Sequence, residues 1–336
     1  MKILIIGGSG ELGSQILKAC QLGNYDISVS SRSPKANQVQ FDWQRAETFV
    51  SLTPFDVVIN TAPVSDFEGY FRLINDLLAQ QKTILETTAA ADFVAEIIRF
   101  QHKSINQQSG LYLHGVGLFP GISNFLCELA LEKHPDAKSI HFNIKYSIFS
   151  KAGKDMCQLM AESLSKPSVY FENGTLKTAK PIGPNHVFGY QNKQWKGFLA
   201  ELPDTFYFNQ VAPKLQFIGS YFTPLGAALY PFVGLLNFLP SAPSFVKMYA
   251  ACFYFMRGKI FKNKQSEMLI SLVIDQKYSF RLHTPAALYA AGLGVAALLP
   301  LLTNQRGVLR ADQAIGHTDF FKSLSKTDPA GIQLLG

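Results

Sequence analysis

The stretch KILIIGGSGELG, residues Lys2–Gly13, decides the fold. Its first half, Lys2–Ile6, is a short apolar run bounded by glycines, which predicts a buried parallel strand. Its second half satisfies the pattern G-x-G-x-x-G through its last three glycines, and Glu11–Leu22 then follows with the apolar spacing of a helix. A glycine turn between a strand and a helix is typical of a Rossmann domain that binds a dinucleotide.

This turn is the predicted pyrophosphate site. Glycines let the backbone turn tightly and approach the phosphates, and the start of the helix offers backbone N–H groups and a partial positive charge to the anion. We therefore expect the cofactor to contact the following residues of the turn: Gly7, Gly8, Ser9, Gly10, Glu11, Leu12 and Gly13.

The residues after the turn continue an alternation of strands and helices up to about residue 120. The predicted strands are Asp26–Ser31, Val39–Trp43, Asp56–Asn60, Thr83–Thr87 and Leu111–Val116, and the predicted helices are Phe67–Gln80 and Asp92–Gln107. Such alternation predicts an α/β fold, a doubly wound parallel sheet covered by helices on both faces.

The glycine-rich segment Gly115–Gly121 ends this rhythm, and a second domain is expected over residues 121–283. A helix is predicted at Ile122–Lys133. The predicted strands are Ser139–Phe149, Ser168–Leu176, Lys193–Leu199 and Met268–His283, the last as a hairpin around Asp275-Gln276. Together they predict an α+β domain with a mainly antiparallel sheet, suited to substrate binding or dimerisation.

The end of the second strand points to NADP(H) rather than NAD(H). NAD-binding domains commonly place an acidic residue there to hold the ribose 2′-hydroxyl, but this strand ends in Ser30-Ser31-Arg32-Ser33. Arg32 is suited to pair with a 2′-phosphate, and Ser31 and Ser33 can donate to it as well.

Other cofactor contacts are expected at the carboxyl ends of the later strands, where ligands bind in open parallel sheets. Asp42 fits an adenine contact but also a helix N-cap. The remaining candidates follow the fourth and fifth strands: Asn60, Thr61, Ala62, Pro63 and Thr87, which comes directly after Glu86.

Several motifs resemble the saccharopine dehydrogenase-like oxidoreductase family. They are IIGGSGELG (Ile5–Gly13), SSRS (Ser30–Ser33), DVVINTAPV (Asp56–Val64), ILETTAA (Ile84–Ala90), GLFPGISNFL (Gly117–Leu126), TPAALYAAGL (Thr284–Leu293) and RGVLRADQ (Arg306–Gln313). The resemblance implies hydride transfer with a nicotinamide cofactor. It also implies a Rossmann domain over residues 1–120 to which C-terminal helices, about 284–336, return.

The catalytic residues are not identified by the sequence. None of the tyrosines has a lysine four residues later, and there is no P-loop or G-x-S-x-G motif. The histidines show no close pairing with Cys or acidic residues, so no metal site is expected. Candidates for a proton donor or for electrostatic stabilisation lie in the second domain: Lys145, Tyr146, Tyr278, Arg281 and His283.

Composition limits the partners. The 336 residues carry a formal net charge of +7, which suits an anionic cofactor or anionic lipid. Because the basic residues form no long tract, nucleic acid is not expected. No signal peptide precedes the first strand and the four cysteines form no CxxC pair, so we expect a cytoplasmic protein with reduced thiols.

An apolar segment over residues 215–256 leaves two interpretations open. No charged residue occurs between Leu215 and Val246, and the prolines within this stretch disfavour a single spanning helix. Basic residues follow from Arg257, so one interpretation is peripheral contact with anionic lipid and a lipid-like substrate. The other is burial in the second domain or in a homodimer interface.

Two classes of function remain. The first is an oxidoreductase that transfers a hydride between NADP(H) and a small-molecule substrate that is hydrophobic or lipid-like. The second is a protein without catalysis, a sensor of NADP(H) or a membrane-associated scaffold, which the lack of an evident proton donor keeps open. Turnover of NADPH distinguishes them.

Overall fold

The structure is a computed structural model that describes residues 1–35, 37–104, 109–146, 154–224, 242–259, 267–302 and 305–335. The chain divides into two compact units. The first comprises Met1–Phe125 and Leu288–Pro329, and the second comprises Leu126–Ala287 and Ala330–Gly336. Each unit is therefore built from two separate stretches of the chain.

The strands are β1 (Lys2–Ile6), β2 (Asp26–Ser31), β3 (Val39–Gln40), β4 (Val57–Asn60), β5 (Thr83–Glu86), β6 (Leu111–His114), β7 (Ser139–Tyr146), β8 (Ser168–Glu172), β9 (Thr175–Ala179), β10 (Asn185–Tyr190), β11 (Lys193–Leu199), β12 (Phe217–Pro224), β13 (Met268–Ile274), β14 (Tyr278–Thr284), β15 (Gly307–Arg310) and β16 (Gln333–Leu335). The α-helices are α1 (Glu11–Cys20), α2 (Phe67–Ala79), α3 (Ala91–Lys103), α4 (Ile122–Lys133), α5 (Lys154–Ser165), α6 (Asp204–Val211), α7 (Pro243–Lys259), α8 (Ala287–Leu298), α9 (Ala311–Ala314) and α10 (His317–Thr327). Short 3-10 helices occupy Ala46–Leu52 and Leu299–Leu301.

The first unit contains a seven-stranded sheet in the order β15-β6-β5-β4-β1-β2-β3, and every neighbouring pair is parallel. Its central strands are apolar runs; Ile3, Leu4 and Ile5 of β1 are fully buried, as expected for a sheet covered on both faces. The predicted Rossmann-type parallel sheet is confirmed. The seventh strand, β15, comes from the C-terminal stretch, for which the sequence predicted helices only.

The returning C-terminal stretch also packs into the core of the first unit. The ring of Phe320 on α10 stacks on Phe125, with ring centroids 3.9 Å apart. Gly292 on α8 lies against the backbone of Gln15, where an added Cβ would be 2.7 Å from the carbonyl oxygen. This close approach explains why α8 is rich in small residues.

The second unit contains a nine-stranded sheet in the order β10-β11-β12-β7-β13-β14-β16, with β8 and β9 attached to β12. The pair β7–β12 is parallel and the other pairs are antiparallel, which confirms the predicted mainly antiparallel sheet. The hairpin β13–β14 turns at Asp275 and Gln276, both at positive φ, as predicted.

The structure assigns only part of the apolar segment 215–256. Phe217–Pro224 is the strand β12, which lies between β11 and β7 and buries Ile218 and Thr223. Pro243–Lys259 is the helix α7, and residues 225–241 lie outside the described residues. Among the helices that the structure describes, none is both long enough and apolar enough to cross a bilayer.

Candidate functional site

The predicted cofactor residues follow strands that end at one edge of the parallel sheet. In the register of the sheet, Ile6 is the partner of both Ser30 and Asn60, and Asn60 is the partner of Glu86. The glycine turn, the SSRS segment, Thr61–Pro63 and Thr87 each come directly after these positions. The structure therefore brings the predicted segments to the carboxyl edge, where a nucleotide binds in a sheet of this type.

The glycine turn is closed by backbone packing that excludes larger residues. Gly7 has φ +77°, and its carbonyl accepts a hydrogen bond from the Gly10 N–H at 2.9 Å. A Cβ on Gly13 would lie 2.3 Å from the Gly7 carbonyl oxygen, and one on Gly8 would lie 2.6 Å from Cγ1 of Val29. The glycines at 7, 8 and 13 thus allow the turn to pack directly against α1 and β2.

This turn fits the diphosphate of a dinucleotide. Gly10 is the N-cap residue of α1 and has no side chain, so a ligand can approach the amides of the first turn, which have no partner within a helix. Ser9 and Gly10 are exposed, whereas Glu11 and Leu12 are half-buried at the start of α1. The exposed backbone and the small residues leave this end of α1 accessible to an anion.

The segment after β2 places Arg32 in solvent at the same edge. Ser31 Oγ accepts from the Ser33 N–H at 3.2 Å, so the serines stabilise their own turn while the Arg32 side chain is exposed. Asp42 caps a local turn instead of a helix: its Oδ1 accepts from the Gln44 N–H at 3.1 Å. This hydrogen bond accounts for Asp42 by turn chemistry.

The segment after β4 is held by a hydrogen bond to the last residue of β1 and by one within the segment itself. Thr61 Oγ donates to the Ile6 carbonyl at 2.6 Å, and the Ala62 N–H donates to Asn60 Oδ1 at 3.2 Å. A Cβ on Gly7 would lie 2.7 Å from Thr61 Oγ, so the two segments are in close contact. Pro63 is exposed beyond this contact, and Thr87 Oγ donates to the Asn60 carbonyl at 2.7 Å.

Glu86 lies beneath this edge as a buried carboxyl group, with 1% of its surface exposed. Its Oε2 accepts from Asn60 Nδ2 at 2.9 Å and from the Tyr70 hydroxyl, and its Oε1 accepts from the Thr88 N–H at 2.8 Å. Burial raises the pKa of Glu86 to about 7, while the hydrogen bonds from Tyr70 and Asn60 act in the opposite direction. The sequence placed Glu86 at this edge but gave no sign of its partner Tyr70, which lies on α2.

In the second unit, the five catalytic candidates divide between two faces of the sheet. Lys145 is paired with Leu269 and Leu269 with His283, so these residues share a face, and Arg281 lies on it two residues before His283. Tyr146 and Tyr278 belong to the opposite face by the same alternation. No single group of the five is therefore assembled.

Most of these candidates have structural partners. The Tyr278 ring stacks on His134 with centroids 3.9 Å apart, Arg281 Nη2 donates to the Gly189 carbonyl at 2.9 Å, and His283 Nε2 lies 3.2 Å from Glu267 Oε1. Lys145 differs: it is 8% exposed, and its Nζ lies 4.2 Å from the Trp195 ring centroid. Burial lowers the pKa of Lys145.

Lys145 shares its face with a buried polar cluster that the sequence did not predict. His141 Nδ1 lies 3.2 Å from the Tyr221 hydroxyl, and His186 Nδ1 lies 3.1 Å from Asn143 Oδ1. Asn143 Nδ2 donates to the carbonyls of His141 and Ser271, so Oδ1 is the acceptor and His186 carries its proton on Nδ1. His141 and His186 lie far apart in the chain, which hides the pair from motif searches. Within the described ranges, no three His, Cys, Asp or Glu side chains form a potential metal site.

The fold was compared with known proteins. A solved structure of apo saccharopine dehydrogenase (L-Glu forming) from Saccharomyces cerevisiae superposes with a TM-score of 0.61 at 10% identity, over 100% of both chains. The chain has the fold of saccharopine dehydrogenase. The family resemblance seen in the sequence motifs is thereby confirmed at the level of the fold.

Other matches are weaker. Aspartate dehydrogenase from Thermotoga maritima covers 91% of this chain and 97% of its own at 12% identity and a TM-score of 0.43. Amine dehydrogenase from Mycobacterium smegmatis covers 93% of this chain and 95% of its own at 7% identity and a TM-score of 0.45. The sequence matches no protein-family model, and no curated protein matches it.

Proposed function

We propose that the protein is a nicotinamide-dependent oxidoreductase that transfers a hydride between NADP(H) and an organic substrate. The observation that carries this proposal is the glycine turn, in which a side chain at Gly13 would collide with the Gly7 carbonyl and where the start of α1 is open to an anion. The saccharopine dehydrogenase fold supports it, because the matched protein is itself named as a dehydrogenase.

The bound nicotinamide supplies a hydride from C4 to an electrophilic carbon of a C=O, C=N or C=C group, and a proton adds to the other atom of the double bond. The protein's own residues bind the cofactor and orient it. The turn from Gly7 to Gly13 binds the diphosphate, and Arg32 binds the 2′-phosphate by a charge-assisted contact. The turn is bordered, on the side of β4, by Asn60, Thr61 and Ala62.

We assign substrate binding to the second unit. Among the described residues of its sheet, Lys145 is a buried lysine, and its lowered pKa makes its ammonium a better proton donor than an exposed one. The aromatic ring of Trp195 lies beside the ammonium group of Lys145. An apolar substrate with one polar double bond suits such a surface, which favours a hydrophobic or lipid-like substrate over an amino acid.

The test of this function is turnover. Purified protein is incubated with NADPH and a panel of ketones, imines and enoyl compounds of increasing chain length. The reduced nicotinamide is followed by its absorbance at about 340 nm. We expect consumption of NADPH with at least one hydrophobic member. Tight binding of NADPH without turnover across the panel would instead favour a sensor of the cofactor.

A peripheral membrane contact is a second proposal, supported by one face of α7. Val246 and Ala250 are buried against Ala161 of α5, whereas the other face exposes apolar side chains: Phe245, Met248, Tyr254 and Phe255. Lys247 is exposed between them, and an apolar stripe with a cation suits the interface of an anionic membrane.

Liposome co-sedimentation tests this contact. We expect binding to vesicles that contain phosphatidylserine, weakened by salt and abolished in Met248→Glu/Phe255→Glu, with no binding to purely zwitterionic vesicles. A homodimer that dissociates in the double variant, seen by light scattering without any lipid binding, would show instead that a second copy covers this face.

A further inference from the structure

We infer that Glu86 is a positioning residue for the cofactor: by accepting a hydrogen bond it fixes the amide of Asn60, and Asn60 in turn holds the Thr61–Ala62 segment against the glycine turn. This inference rests on the proposed function, since it concerns how the same site is kept in shape. It is carried by the hydrogen bonds that join β4 and β5 beneath the carboxyl edge.

The amide of Asn60 is fully buried. An asparagine side chain has one end that accepts and one that donates, and here both ends are used. Nδ2 donates to Glu86 Oε2 at 2.9 Å, and Oδ1 accepts from the Ala62 N–H at 3.2 Å. If the amide were reversed, its NH₂ would face the Ala62 N–H, and two donors would oppose each other.

In its ionised form, Glu86 opposes this reversal, because the carboxylate has no hydrogen to offer to a reversed amide. All three of its partners donate: Asn60 Nδ2, the Tyr70 hydroxyl and the Thr88 N–H. The Tyr70 hydroxyl lies 3.4 Å from that of Tyr112, at the inner end of the network. When Glu86 is ionised, it therefore sets the direction of every hydrogen bond from Tyr70 to Ala62.

The orientation matters because Ala62 and Thr61 form the wall of the glycine turn. The would-be Cβ position of Gly7 lies 2.7 Å from Thr61 Oγ and 3.2 Å from the Ala62 nitrogen. A shift of this segment therefore moves a group that touches the turn on which the diphosphate rests. Glu86 itself is buried and acts through Asn60.

A swap of donor and acceptor tests the inference. In Glu86→Gln, the new NH₂ must face either the Thr88 N–H or Asn60, and each choice opposes two donors. In Asn60→Asp, two carboxylates meet. In the double variant Asn60→Asp/Glu86→Gln, the glutamine amide can donate to the new carboxylate and to the Tyr70 hydroxyl. That carboxylate can still accept from the Ala62 N–H, so the network is complete again.

The measurement is NADPH affinity by calorimetry, with the thermal midpoint recorded for each protein. Each single variant is expected to bind NADPH about tenfold more weakly or worse, while the double variant stays within about threefold of the natural protein. Glu96→Gln, the same change on the half-exposed face of α3, is expected to leave the affinity unchanged and serves as the control.

Single variants that bind as well as the natural protein, or a double variant as weak as the product of the singles, would overturn the inference. If the natural protein binds neither nicotinamide coenzyme, the proposed function fails, and the thermal midpoints still decide on the positioning role. Thermal midpoints that are lowered in both single variants and restored in the double variant support the positioning role. If the double variant does not restore the thermal midpoint, the positioning role is overturned.

Discussion

The imidazole rings of His141 and His186 stack in the second unit with their centroids 4.3 Å apart and their planes 12° from parallel. Both rings are buried, at 8% and 9% exposure. Burial lowers the pKa of His141 to about 3 and that of His186 to about 4, and the nearby His186 ring further disfavours a charge on His141. The pair is therefore neutral at neutral pH.

This pair predicts that the second unit loses stability in acid. Because the pKa values are lowered on folding, the unfolded chain binds more protons than the folded one between about pH 6.5 and pH 4. The contribution of the two histidines to the free energy of unfolding is fully present above about pH 6.5. Below that pH it decreases by about 1.4 kcal/mol per pH unit for each histidine. His186→Gln should reduce this slope because glutamine does not titrate, while its amide can still donate to Asn143.

Urea unfolding at several pH values measures the slope. The two tryptophans, Trp43 and Trp195, lie one in each unit, so a Trp43→Phe background reports on the second unit through Trp195 fluorescence. His102→Gln, at an exposed position on α3, is the control and should leave the slope unchanged. An equal slope in His186→Gln and the natural sequence would contradict the neutral pair.

Arg32→Asp is predicted to change the choice of coenzyme. Loss of a charge-assisted contact and the added negative charge should weaken NADPH binding by about 10-fold to 100-fold, while NADH binding stays within about threefold. Calorimetry with both coenzymes measures this ratio. Lys322→Asp, a matching charge reversal at an exposed position of α10, is the control, and equal losses for both coenzymes would refute the assignment of NADP(H).

Gly13→Ala is predicted to damage both the turn and the fold of the first unit. The new Cβ would lie 2.3 Å from the Gly7 carbonyl oxygen and 2.7 Å from the Gly8 Cα, so the backbone must shift. We expect a lower thermal midpoint and a loss of at least about tenfold in NADPH affinity.

Two further glycines make this test specific. Gly316→Ala, where an added Cβ meets nothing within 4 Å, should leave the affinity unchanged and lower the midpoint only slightly, because alanine caps α10 less well than glycine. Gly10→Ala, at 3.2 Å from the nearest atom, should weaken binding because it blocks the approach of the diphosphate, and should lower the midpoint less than Gly13→Ala does. If Gly13→Ala binds NADPH as well as the natural protein, the turn is not the cofactor site.

Phe320→Ala is predicted to destabilise the first unit by about 3–5 kcal/mol, the usual range when a buried phenylalanine is removed. Phe320 is 1% exposed and stacks on Phe125, so the returning C-terminal stretch loses its contact with that ring. Urea unfolding followed by Trp43 fluorescence in a Trp195→Phe background measures this loss. Phe321→Ala, at a half-buried position, should cost clearly less.

The first unit could be predicted from sequence because its signals are local. Gly8, Gly10 and Gly13 lie within one turn, and the register of a parallel sheet then carries Asn60 and Thr87 to the same edge. The strand β15 was not predicted, since Gly307–Arg310 is short and its pairing with β6 depends on residues far away in the chain.

The second unit was harder to predict, because its strands depend on packing between distant segments. The sequence of β12 indicates only part of an apolar segment, because a strand buried on both faces needs no alternation of polar and apolar residues; Ile218 and Tyr221, on opposite faces, are both buried. The network of Tyr70, Asn60 and Glu86 was missed for a related reason: each residue looks ordinary on its own element, and only the fold joins them.

The position of β15 also determines when the parallel sheet can be completed during synthesis of the chain. The six other strands of the parallel sheet leave the ribosome early, but β6 stays an uncovered edge until Gly307–Arg310 has been translated, after nearly all of the second unit. A nascent chain paused before that point carries a bare parallel edge, which is open to pairing with other chains. The sooner the last stretch is completed, the shorter the time for which this edge is open to pairing with other chains.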